Sequence, residues 1–142
     1  MSVCLSFEEI LASGQPHIAT LSEVGESFPD VNYPGACEAF SKQVRLLEGF
    51  ITHSYAVTSS FAKKSPDLGE IATLWKEMAA FCAQAITALS HLKDKYPNCG
   101  TSELYDLALD YKIACDKRYE GVLEEIECQK MSLPKNLFPA LS

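Results

Sequence analysis

Apolar residues in the middle of the chain recur at alternating intervals of three and four: Leu68, Ile71, Trp75, Met78, Cys82, Ala85, Leu89, Leu92 and Tyr96. At about 3.6 residues per turn these positions share one helical face, which predicts a helix packed along its whole length. Neighbouring segments carry looser versions of the rhythm. Cys37, Phe40, Val44, Leu47, Ile51, Tyr55, Thr58 and Phe61 predict a helix that opens near Pro34 and stops before Pro66. Leu104, Ala108, Tyr111, Cys115, Tyr119, Val122 and Ile126 predict another, capped by Thr101 or Ser102, with Glu103 and Asp106 near its positive end.

Ahead of these, Phe7, Leu11, Ile18, Leu21 and Phe28 keep a heptad pace, with Gly14 and Gly25 filling the intervening beats. Ser6 and Glu9 have the spacing of a capping box, and Pro16 should kink or split this first helix near Ser13 and Gly14. Ser65-Pro66-Asp67 and Pro97-Asn98-Cys99-Gly100 read as turns, and connections this short set neighbouring helices antiparallel. The expected fold is all-α: an up-down-up-down four-helix bundle with a shorter kinked first helix and three helices of about thirty residues. Residues 1–142 form one domain in this reading, and Pro134 and Pro139 make 131–142 an extended tail.

Composition supports one core. The chain has 142 residues, 47% of them hydrophobic, enough for a substantial buried interior. Its formal charge of −7 opposes binding to nucleic acid and to anionic membrane. A basic patch from Lys42, Arg45, Lys112, Lys117 and Arg118 would be the exception, but acidic neighbours such as Asp106, Asp110, Asp116 and Glu120 surround it. The opening residues lack a basic start and a long apolar run, and no apolar stretch is of membrane-spanning length. A soluble, cytoplasmic protein is the expectation. The six cysteines include no Cys-x-x-Cys pair, so they read as reduced packing residues, with Cys99 the most exposed.

Known bundle chemistries find little purchase. A di-iron site needs Glu-x-x-His pairs, and none of the three histidines has a glutamate three residues before it. His53 aligns with Leu46, Phe50 and Val57, which suggests a buried edge rather than a phosphorylated face, and His91 continues a polar surface line. The glycines are scattered singly and form no phosphate loop. No metal, cofactor or catalytic residue is assigned.

The leading expectation is a non-catalytic module that contacts another protein. Between Leu74 and Leu89 the third predicted helix is apolar almost all round, more than an isolated bundle requires. Either the rest of the chain covers the extra face, or a second subunit does. Leu74, Phe81 and Ala88 at intervals of seven, with the small residues Ala80 and Ala83 beside them and Phe138 in the tail, are the candidate interface of a homodimer. The second expectation is a bundle enclosing a small apolar or redox-active ligand, lined by Gly49, Tyr55, Trp75, Tyr111 and Tyr119. A membrane-surface bundle is the third, carried by the basic patch.

Overall fold

The computed structural model describes residues 3–137, with side chains for 7–131. Its order is α1 (Val3–Ala12), α2 (Gln15–Ser27), α3 (Ala36–Lys64), α4 (Leu68–Leu92) and α5 (Thr101–Leu137). Counted as one bent arm, α1 and α2 complete a four-helix bundle. The arm breaks where Pro16 required it, with Gly14 between the two halves and proline in the first turn of α2. Ser6, the expected N-cap, lies inside α1, which already starts at Val3.

Local chemistry explains the turns. Asp67 caps α4, its carboxylate accepting from the N–H groups of Gly69 at 2.9 Å and Glu70 at 3.3 Å. Gly35 and Gly100 precede α3 and α5 with φ of 81° and 82°, a left-handed conformation that glycine adopts without penalty. Thr101 does not cap α5; its hydroxyl donates back to the Tyr96 carbonyl at 2.8 Å. α2 is fastened from a distance. Lys95 donates to the carbonyls of Gly25 at 2.9 Å and Phe28 at 2.6 Å, and the Tyr96 hydroxyl donates to Gly25 at 3.2 Å. Those are orphan carbonyls at a helix end, satisfied by side chains some seventy residues away.

The central element is α4. Its seam from Trp75 to Leu92, continued by Tyr96 in the following turn, is buried against α3 and α5, and α1 and α2 cover much of its remaining surface. Leu74 and Phe81, expected to face a partner, are therefore core residues of this chain, at 0% and 2% exposure. Phe81 packs against Phe50 of α3, ring centroids 5.2 Å apart. An all-round apolar helix requires cover but does not say whose, and here the chain's own N-terminal arm supplies it.

Two further expectations change. Cys37 and Cys99 are joined in a disulfide, with Cα atoms 6.0 Å apart and Cys99 only 5% exposed. The turn after α4 folds over the first turn of α3 and brings the pair together. The tail also differs, since α5 continues through Pro134 to Leu137 rather than becoming extended at residue 131. Proline's fixed φ is compatible with a helix, at the cost of one backbone hydrogen bond and of crowding the carbonyl four residues earlier. Phe138 lies outside the described residues.

A candidate docking face on α4

Two clusters gather the residues with chemical potential. The first is aromatic. Tyr55 of α3 stacks on Tyr111 of α5 at 4.5 Å between ring centroids, and its ring lies 5.7 Å from that of Trp75 in α4. The structure thus brings together three of the five residues expected to line a ligand cavity. What meets them is a side chain of the protein itself. The Arg118 guanidinium carbon sits 5.1 Å from the Trp75 ring centroid, and its Nε donates to the Tyr55 hydroxyl at 3.3 Å. Arg118 follows Tyr111 by one heptad and so shares its face, the signal that could have placed it in this cluster. Gly49 is elsewhere: exposed on α3, with open space where a Cβ would stand.

Tyr119 belongs to the second cluster, on the outer side of α4. That strip comprises Thr73, Lys76, Glu77, Ala80, Ala83, Gln84 and Thr87, and Ala80 is its exposed midpoint. Ala83 is half-buried beside it, while Ala88 is half-buried farther around the helix. Thr73 and Thr87 donate their hydroxyls to the carbonyls of Gly69 and Ala83, each at 3.0 Å. Their hydroxyl protons are spent inside the helix, which leaves the strip small and weakly polar at its centre.

A groove runs along each side of it. Between α4 and the N-terminal arm lies one of about 250 Å³, lined by buried Leu11 and Phe81 and exposed Ala12. Its rim is acidic and amide-bearing: Glu8, Gln15, Glu77 and Gln84. Between α4 and α5 lies one of about 270 Å³ with Ala79 and Ala83 in its floor and Lys76, Lys112 and Tyr119 at its edges. Asp116 also borders it and accepts from Lys112 at 2.8 Å. Donating to Asp116 and sitting beside its negative charge push the Lys112 pKa up. Ala80 lines both grooves.

Beneath this face, Cys82 and Cys115 are fully buried, and burial pushes both thiols up to about 12. They are packing residues at neutral pH, without thiolate character. His53 is exposed, not at a buried edge, and His17 is half-buried with its ring 5.5 Å from that of Phe50. Of the expected basic patch, Lys112 and Arg118 are engaged within the chain by Asp116 and Trp75.

Among the described residues no group of three His, Cys, Asp or Glu is placed to hold a metal ion, and no helix is long and apolar enough to cross a membrane. Comparison with protein-family models, with curated proteins and with solved structures finds nothing that matches the chain.

Proposed function

We propose that this protein is a non-catalytic interaction module whose docking face is the outer strip of α4. The observation that carries the reading is Ala80, an exposed small residue that lines grooves on both of its sides. A partner helix laid there meets no bulky side chain at the centre, while its flanking side chains find a depression on either hand. The charged rims then supply orientation and specificity. Of the interface residues that the sequence offered, this reading uses Ala80, exposed on the strip, and Ala83, half-buried beside it. The competing reading, an enclosed ligand, has less support because the Tyr55–Trp75–Tyr111 cluster is met by Arg118.

The test is photo-cross-linking in the expressing cell with a benzoyl-phenylalanine at position 80, and at exposed Ala56 of α3 as control. A discrete polypeptide adduct from position 80 and none from position 56 is expected. Equal capture at the two positions, or none at 80, overturns the reading.

A further inference from the structure

The two rims of this face carry opposite charge, and from that we infer that the occupant is a second copy of the chain, its α4 parallel to the first. The inference rests on the docking face proposed above and adds the partner's identity. On the arm side of Ala80 stand Glu8 and Glu77, with no cation among the described residues that line the groove. On the α5 side stand Lys76 and Lys112 against the single carboxylate of Asp116. Two such faces meet in two simple ways. A two-fold axis running across α4 sets each rim on its own copy, carboxylates on carboxylates and ammoniums on ammoniums. A two-fold axis running along α4 exchanges left for right and sets each acidic rim on a basic one, with the helices parallel. Only the second is complementary.

The exchange also gives the arm-side groove a specific occupant, the Lys76 side chain of the other copy. Lys76 is exposed and sits one turn from Ala80, within reach across the strip. A lysine has an apolar four-carbon stem and a charged tip. The groove offers that shape its counterpart, since buried Leu11 and Phe81 line it together with Glu8 and Glu77. Symmetry makes the contact twice. The complementary rims also offset, at close range, the general repulsion between two chains of formal charge −7.

Sedimentation equilibrium of the full chain tests this, with four proteins: the native sequence, Lys76→Glu, Glu77→Lys, and the Lys76→Glu/Glu77→Lys double variant. Both side chains lie on the helix surface, so circular dichroism should report the same fold throughout. A dimer is expected for the native chain, each single variant should raise its dissociation constant at least about tenfold, and the double variant should recover most of the loss. Neighbours one residue apart do not face each other on a helix, so recovery reports a contact between copies. Three results overturn the proposal: a native chain that stays monomeric, a dimer indifferent to either single variant, or a double variant no better than the singles. A different polypeptide captured at position 80 by a monomeric chain would preserve the docking face and remove the second copy. Absence of both would remove both.

Discussion

The ring of Phe50 lies directly against the backbone of Gly14, so that a Cβ at residue 14 would overlap it. This contact seats the break between α1 and α2 on the middle of α3, and the ring is held from its other sides by His17 and Phe81. Gly14 has ordinary right-handed helical angles, φ −87° and ψ −19°, so its importance is spatial and not conformational. Gly14→Ala should therefore destabilise the protein by about 1–3 kcal/mol despite alanine's better helix propensity. Gly49→Ala should have the opposite sign: nothing lies within 4 Å of its missing Cβ, and the helix gains about 0.5–1 kcal/mol. Urea unfolding midpoints of the two variants measure the contrast.

Reducing the Cys37–Cys99 disulfide releases a cross-link between residues 62 apart in sequence. The chain-entropy relation for a loop of that length gives about 4 kcal/mol of stability. Urea midpoints with and without a thiol-free phosphine reductant should differ accordingly, and a Cys37→Ser/Cys99→Ser variant should be insensitive to the reductant. Peptide mapping without reduction should recover the two cysteines on one linked fragment.

Much of the bundle was legible in the sequence because helical periodicity is a local signal. The unbroken α4 seam, the stripes of α3 and α5 and the split of the arm near Gly14 all appear in the structure. Periodicity failed where the answer depended on what comes from far along the chain. Leu74 and Phe81 looked available because nothing in α4 says that the N-terminal arm lies over them. Cys37 and Cys99 looked unrelated because only the fold of the turn after α4 brings them within 6.0 Å. The candidate face was half legible: Ala80 and Ala83 stood out as small, but the grooves beside them are formed jointly with α1 and α5.

Ser54 is fully buried in α3, and its hydroxyl has no hydrogen-bond partner among the described residues. Thr58, one turn later, uses the Ser54 carbonyl but leaves the Ser54 hydroxyl alone. Burying such a group without a partner costs about 1–3 kcal/mol. Ser54→Ala removes the group and improves helix propensity, so a gain of about 1 kcal/mol is expected. A lowered thermal midpoint would show that the hydroxyl is satisfied in solution.

The Cys82 and Cys115 thiols make stability fall in alkali. Burial holds each folded-state pKa at about 12, against an ordinary value of 9.0 once the chain unfolds. A raised pKa favours the neutral thiol, so the contribution is complete below pH 9 and is lost as pH climbs toward 12. In that window each thiol should subtract about 1.4 kcal/mol per pH unit. A Cys82→Ala/Cys115→Ala variant should show a shallower alkaline slope than the native chain, whatever its stability at neutral pH. Iodoacetamide at pH 8 should modify exposed Cys128 well before either of the two.

The single tryptophan makes the Arg118 contact directly observable. Trp75 is 3% exposed and carries the guanidinium on its ring, while the same side chain binds the Tyr55 hydroxyl. Arg118 itself is exposed, so its removal opens one side of the indole to water without emptying the core. Arg118→Ala should shift Trp75 emission to longer wavelength and cost about 1 kcal/mol, some 2–4 °C in thermal midpoint. Arg118→Lys keeps the charge but loses the planar group that stacks on an indole, and should recover only part of both effects. Full recovery by lysine would mean that charge alone matters at this position. An unchanged emission spectrum in both variants would mean that the side chain does not rest on Trp75 in solution.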